Sequence, residues 1–61
     1  MSRHEVHIGS NIRIVRQLRG MKQTVFADLL GITQQSASKM EKKKNVSDEQ
    51  IAEAAKILQQ L

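Results

Sequence analysis

Three glycines spaced eleven residues apart divide the chain into short segments, and each segment has the apolar period of an α-helix. The glycines are Gly9, Gly20 and Gly31. Between and after them, apolar side chains recur every three or four residues, which is typical of amphipathic helices. Proline is absent and good helix formers are frequent. We therefore predict an all-α fold, and 61 residues limit it to a single domain.

Helix boundaries follow from the residues that cap helix ends. Ser10, Thr33 and Ser47 are predicted N-caps, because a hydroxyl can accept a hydrogen bond from an unpaired backbone amide. Gly20 and Gly31 can adopt the left-handed conformation that ends a helix. The predicted helices cover residues 10–19, 23–30, 34–43 and 48 to near the C-terminus. Residues 1–8 are predicted to form a polar arm and residues 9–61 the folded domain.

The apolar stripes of these helices predict the core, which Met21 and Met40 are expected to help fill. The stripes comprise Ile12, Val15 and Leu18 in the first helix with Ile8 just before it, Val25, Phe26, Leu29 and Leu30 in the second, and Ile51, Ala54, Ala55, Leu58 and Leu61 in the fourth. Ile57 and Leu61 are expected to stay partly exposed, which would make the fourth helix a docking surface.

Positive charge is concentrated in the middle of the chain. Residues 11–44 hold eight lysines and arginines against two acids, a net charge of +6, whereas the remaining residues have a net charge of −2. A basic centre beside an acidic C-terminal segment indicates a face for a polyanion. An ordinary solvated surface would have the same composition, so the charge alone leaves both interpretations open.

Composition excludes several classes of function. Without cysteine there is no disulfide and no thiolate metal site. Phe26 is the single aromatic residue, which argues against the base-stacking platforms of single-strand binders. The longest apolar stretch, residues 29–32, is far too short to span a bilayer, and the N-terminus lacks the apolar region of a signal peptide. There is no cysteine nucleophile, and Ser36 and Ser38 have no neighbouring histidine in the sequence. We find no glycine-rich phosphate loop and no carboxylate pair within an expected cleft, so we predict neither enzyme activity nor a cofactor.

One metal-binding pattern occurs near the N-terminus. His4, Glu5 and His7 have a spacing that can bind Zn²⁺ on a helix. They lie in the predicted arm and no fourth ligand is apparent. We therefore predict no metal site.

Residues 23–43 have the residue types that a helix-turn-helix unit requires. The position where the two helices cross must be small, and Ala27 occupies it. One position of the turn must accept a positive φ, and Gly31 stands at that position. The apolar residues that would lock the pair are Phe26, Leu30, Ile32 and Met40.

The third helix has a polar and basic face. Gln34, Gln35, Ser38, Lys39 and Lys42 fall within an arc of about 140°, opposite Ala37 and Met40. This arc contains amides, a hydroxyl and lysines but no carboxylate, so it can offer donors and acceptors to base edges. Glutamine is also common on ordinary exposed helices. We therefore interpret the arc as a base-contacting surface only because it lies within the helix-turn-helix unit.

The ordered set of residues from about 8 to 58 resembles the lambdoid phage repressor and Cro family, the xenobiotic-response-element type of helix-turn-helix. The matching residues are Ile8-Gly9, Ile12-Arg13, Arg16, Gly20, Gln23, Phe26-Ala27, Leu30-Gly31-Ile32-Thr33-Gln34-Gln35-Ser36 and Lys39-Met40-Glu41. The resemblance implies a compact four- to five-helix repressor-like DNA-binding domain. It also implies a cytoplasmic setting, because the relatives are bacterial and phage proteins.

The resemblance further implies a role for each matching residue. Bases in the major groove would be contacted by Gln34, Gln35, Ser38 and Lys39. Phosphates would be contacted by Arg16, Lys22, Gln23, Thr33, Lys43, Lys44 and Asn45. Arg16 and Glu41 would form a structural ion pair between the first and third helices. The glutamines suit base contact, because their amides can pair with adenine through two hydrogen bonds.

The sequence departs from the family in three places. Ala37 stands where Val or Ile is usual, which predicts looser packing of the third helix. Lys22 stands where a Ser or Thr cap is common, so we expect the second helix to be weakly capped. The family often continues into a fifth helix that supports dimerisation, whereas this sequence ends at Leu61. We therefore expect either a weak homodimer, at least on DNA, or a fragment of a longer protein.

Two classes of function fit these observations. The first is a sequence-specific transcriptional regulator, a repressor, bound to a pseudo-palindromic operator in double-stranded DNA. The second is a protein-interaction module such as an antitoxin, in which helix 48–61 binds a protein partner. RNA binding is a weaker third class, because the aromatic residues that usually stack on RNA bases are absent.

Overall fold

The computed structural model describes residues 7–59, which form four helices and no strand. In chain order they are α1 (Ile8–Leu18), α2 (Gln23–Leu30), α3 (Gln34–Lys42) and α4 (Asp48–Leu58). The predicted all-α fold is therefore confirmed. The bounds of α2 agree with the prediction at both ends, and the start of α1 shows the largest difference.

The core lies where α3 packs against α1 and α2 and where α4 packs against α2 and α1. Phe26 is completely buried at its centre, and Met21 and Met40 are buried beside it as predicted. The other buried apolar members are Ile12, Val46, Ala54, Ile57 and Leu58, with Ile8, Leu30 and Ile51 partly buried around them.

Four of the helix ends are formed as the sequence predicts. The Thr33 Oγ1 and Ser47 Oγ atoms accept from the backbone amides three residues later, at 3.1 and 3.2 Å. Gly31, which ends α2, has a φ of 75°. Gly20, just after α1, has a φ of 71°. Lys22 makes no side-chain hydrogen bond at the start of α2, so the expected weak cap is confirmed.

The start of α1 was predicted wrongly, because its N-cap is His7 and not Ser10. The Ser10 backbone amide donates to His7 Nδ1 at 3.2 Å, so Ser10 lies inside the first turn. The amides of Ile8 and Gly9 have no partner within the helix. They donate instead to carbonyl oxygens of the α3–α4 connection, each at 3.0 Å. Residues 1–6 of the predicted arm lie outside the described part of the chain.

Gly9 is a packing residue and not the helix break that its spacing suggested. It is buried inside α1. A Cβ atom at this position would collide with the carbonyl oxygens of Met40 and Lys43 and lie 2.9 Å from the carbonyl carbon of Glu41. The backbone of α1 therefore lies directly against the C-terminal end of α3, which no other residue type would permit.

Several apolar side chains that the stripes placed in the core are exposed. Three residues advance a helix by about 300°, so a stripe spaced by threes rotates about 60° at each step. Leu18 is two such steps from the buried Ile12, and 80% of its surface is exposed. Ile57 was expected to stay partly exposed but is buried, and Leu61 lies outside the described residues. The exposed members of the predicted stripes are Val15, Leu18, Val25, Leu29 and Ala55.

None of the helices within residues 7–59 has the length and apolar character needed to cross a membrane.

Candidate nucleic-acid interface

α2 and α3 are joined by a tight turn. With Gly31 in the left-handed conformation, the Ile32 amide donates to the Ala27 carbonyl at 3.0 Å, which satisfies one of the last carbonyls of α2. Thr33 then begins α3. Ala27 and Ala37 are almost completely buried in this part of the core. The two helices and their turn therefore form one packed unit.

The four residues expected to contact bases lie on the outer side of this unit. Gln34, Gln35 and Lys39 are exposed and Ser38 is half-buried. On the opposite side of α3, Met40 is buried in the core. The outer face thus presents two amides, a hydroxyl and one positive charge to the solvent.

Arg16 of α1 and Glu41 of α3 form a buried ion pair. Arg16 Nε is 2.7 Å from Glu41 Oε2, Arg16 Nη2 donates to Glu41 Oε1 at 3.2 Å, and Arg16 Nη1 donates to the Met21 carbonyl at 2.8 Å. Arg16 is 7% exposed and Glu41 is 3% exposed. The structure thus places these two residues in the pair that the resemblance implies. The guanidinium is buried, and three of its five N–H groups donate to Glu41 and to the Met21 carbonyl.

Gln23 connects this ion pair to the outer face of α3. Its Nε2 atom donates to Glu41 Oε1 at 3.1 Å. Its Oε1 atom accepts from Gln34 Nε2 at 3.2 Å. Both hydrogen bonds were missed by the sequence analysis, since they join residues 18 and 11 positions apart on different helices. Gln34 is consequently oriented by a chain of contacts that begins in the protein interior.

The remaining residues expected to contact phosphates lie near the two ends of α3. Gln23 is half-buried, next to Gln34 at the N-terminal end. Lys22 and Thr33 are exposed near that end, and Lys43, Lys44 and Asn45 are exposed in the α3–α4 connection. The carbonyl oxygens of Lys43 and Lys44 accept the two α1 amides described above, which holds the backbone of this connection in place.

The described residues contain no group of three or more His, Cys, Asp or Glu side chains that could hold a metal ion. His4 and Glu5 of the N-terminal pattern lie outside residues 7–59, and His7 serves as the N-cap of α1.

The packed unit of α2, turn and α3 defines a helix-turn-helix domain. The sequence matches the family model described as "Helix-turn-helix" over residues 12–60. The chain therefore belongs to the Cro/C1-type helix-turn-helix family, and the suspected relationship to the lambdoid repressors and Cro is confirmed. The family consists of DNA-binding transcription regulators and is not typically enzymatic. Neither a curated protein nor a solved structure gives a significant match.

Proposed function

We propose that this protein is a repressor that recognises a specific sequence in double-stranded DNA with α3 in the major groove. The observation that carries the proposal is the outer face of α3. Its glutamines are exposed, it has no carboxylate, and Gln34 is held by Gln23 above a buried ion pair. A side chain that is already oriented loses less conformational freedom when it meets a base edge.

The proposed phosphate contacts surround this face. Lys22, Gln23 and Thr33 would contact the DNA backbone near the N-terminal end of α3, and the connection 43–45 would contact it near the other end. Such contacts set the orientation of the protein, while base contacts determine sequence preference. We do not include Arg16 among these proposed contacts, because its guanidinium is buried and hydrogen-bonded to Glu41 and to the Met21 carbonyl.

The experiment that tests this function is selection of bound duplexes from random-sequence DNA, followed by sequencing. We expect one enriched motif with two inverted half-sites about one helical turn apart. Salt-sensitive binding with no enriched motif would contradict the proposal.

Replacing Gln35 with alanine is expected to weaken binding to the selected motif by about 1–3 kcal/mol, because α3 loses an amide that pairs with a base. Binding to a scrambled duplex should hardly change. Fluorescence anisotropy with both duplexes measures the two effects. Gln17→Ala, which removes an exposed glutamine of α1 outside the proposed set, is the matched control. An equal loss on both duplexes would show that Gln35 does not read a base.

We further propose that two copies bind the operator together through an apolar groove between α1 and α4. The groove has a volume of about 340 Å³, and its apolar lining includes Val15, Ile51, Ala55 and Leu58. Exposed apolar surface of this kind marks an interaction site. A second copy is the occupant that the family resemblance implies, and a two-fold contact would place the same apolar lining of both copies face to face.

Replacing Ala55 with arginine is expected to weaken binding to a duplex with two half-sites by roughly 10- to 100-fold, because the second copy loses its contact with the first. Binding to a single half-site should be unchanged. Ala52→Arg is the matched control, because Ala52 is exposed on the same helix but does not line the groove. Equal losses for the two variants would rule out this groove as the dimer contact.

The same groove favours a second function, an antitoxin-type module whose partner binds α4. Its α4 lining would receive an apolar segment of that partner. The two functions differ in what the isolated chain does. A chain that binds single half-sites with no preference for paired ones, and acquires that preference only with a partner protein, would favour the second function. Either function implies a cytoplasmic setting in a bacterium or a phage-infected cell.

A further inference from the structure

A polar cleft between α1 and α3 lies beside the proposed base-contacting face and has no role in the function described so far. Its volume is about 390 Å³. Gln23 and Ser38, both in the proposed interface, line it on one side. The cleft therefore opens next to the surface that the DNA would occupy.

Two rows of polar side chains face each other across this cleft. Ser10 and Arg13 lie three residues apart on α1, and Ser38 and Lys42 lie four residues apart on α3. These spacings place each pair on one face of its helix. Lys42 belongs to the polar arc that the sequence already assigned to DNA, whereas Arg13 was not expected to contact DNA.

The cleft is positively charged. Its single acidic lining residue is Glu41, which is already paired with Arg16 at 2.7 Å. Arg13 and Lys42 are exposed, and neither forms an ion pair within residues 7–59. The charges that remain are therefore those of one guanidinium and one ammonium group, a combination that attracts an anion.

The other lining groups are hydrogen-bond donors suited to phosphate oxygens. Because His7 Nδ1 accepts from the Ser10 amide, the neutral imidazole has its proton on Nε2, which makes Nε2 a donor. The Ser10 hydroxyl supplies another donor. The guanidinium of Arg13 has a planar fork that can bind two oxygens of one phosphate, while the Lys42 ammonium acts as a point charge.

We propose that this cleft binds a backbone phosphate of the DNA, with Arg13 as the main ligand and Lys42 as the second. The proposal rests on the proposed function, because it requires α3 to lie in the major groove. It adds a contact from α1 to those at the two ends of α3. The DNA backbone would then contact the domain at α1, at the N-terminal end of α3 and at the α3–α4 connection.

The test measures binding of Arg13→Gln to a single half-site duplex over a range of salt concentrations. Each phosphate contact contributes about 0.9 to the slope of log K against log salt, so we expect the slope to fall by about one. Affinity at moderate salt should fall by about three- to tenfold on selected and scrambled duplexes alike. Arg13 is exposed and glutamine is also a good helix former, so the variant should melt like the wild type.

Arg19→Gln is the matched control. Arg19 follows the last residue of α1 and lines the α1–α4 groove, not the polar cleft. A single half-site removes any influence of that groove on the result. We expect Arg19→Gln to keep the wild-type slope. Equal slopes for Arg13→Gln and Arg19→Gln would overturn the proposal.

Duplexes with one neutral methylphosphonate identify the phosphate. At one position, neutralisation should weaken the wild type and leave Arg13→Gln unaffected. If no position behaves in this way, the cleft does not bind a backbone phosphate. Failure of the proposed function is distinguishable, because the wild type would then show no preference for any selected duplex.

Discussion

Replacing Glu41 with alanine is expected to lower the free energy of unfolding by about 3–5 kcal/mol, because it leaves the Arg16 guanidinium buried without its counter-charge. Glu41 is 3% exposed and accepts from both Arg16 and Gln23. Domains have about 0.05–0.15 kcal/mol of stability per residue, which is roughly 3–9 kcal/mol for 61 residues. The loss is therefore large enough to unfold much of the protein. Urea denaturation followed by circular dichroism measures it.

Two variants show whether this loss comes from the uncompensated charge. Glu53→Ala removes an exposed acid of α4 and should change the stability by less than about 0.5 kcal/mol. The double variant Arg16→Met/Glu41→Leu removes both charges and should recover most of the loss, since a buried ion pair can often be replaced by apolar residues of similar volume. If the double variant is as unstable as Glu41→Ala, the main contribution of the pair is its geometry and not its charge balance.

The position of Glu41 links the stability of the fold to the proposed interface. One carboxylate accepts from Arg16 on α1 and from Gln23 on α2, and Gln23 accepts from Gln34 on α3. The orientation of Gln34 thus depends on a group that is almost completely buried. A mutation that disturbs the interior at this point is expected to change the base-contacting face as well.

The helix ends were largely predictable because they depend on local chemistry. Gly31 has a positive φ at the end of α2, and Thr33 offers a hydroxyl to the next helix, so the end of α2 and the start of α3 follow from single residues. The start of α1 was mispredicted because histidine is an uncommon N-cap. Its role depends on the tautomer that leaves Nδ1 free to accept.

Burial was less predictable, because a helical period shows which side chains share a face but not which neighbour covers them. Phe26 and Leu29 are both apolar residues of α2, yet Phe26 is completely buried and Leu29 is 54% exposed. Similarly, the resemblance pairs Arg16 with Glu41 but does not show that Gln23 shares the same carboxylate. Contacts between distant positions depend on the tertiary arrangement, which no local pattern contains.

Replacing Gly9 with alanine is expected to lower the free energy of unfolding by about 3 kcal/mol, which is the upper part of the range for an overpacked site. Two effects on the free energy of unfolding oppose each other at this position. Inside a helix, alanine is favoured over glycine by about 1 kcal/mol, so helix propensity alone predicts a more stable protein. The new Cβ would collide with the carbonyl oxygens of Met40 and Lys43, which are backbone atoms and cannot move as a side chain does. The collision is expected to outweigh the gain.

Gly20→Ala is the control that separates these effects, and thermal and urea denaturation of both variants provide the measurement. Gly20 has open space around its Cβ position but a φ of 71°, so alanine there should cost only the conformational penalty of about 1–2 kcal/mol. If Gly9→Ala is as stable as the wild type, α1 can move away from α3. The hydrogen bonds from the Ile8 and Gly9 amides would then lengthen with it, and the connection 43–45 would lose its support. Such a variant should bind all duplexes less tightly, because the proposed phosphate contacts at that end of α3 would no longer be held in place.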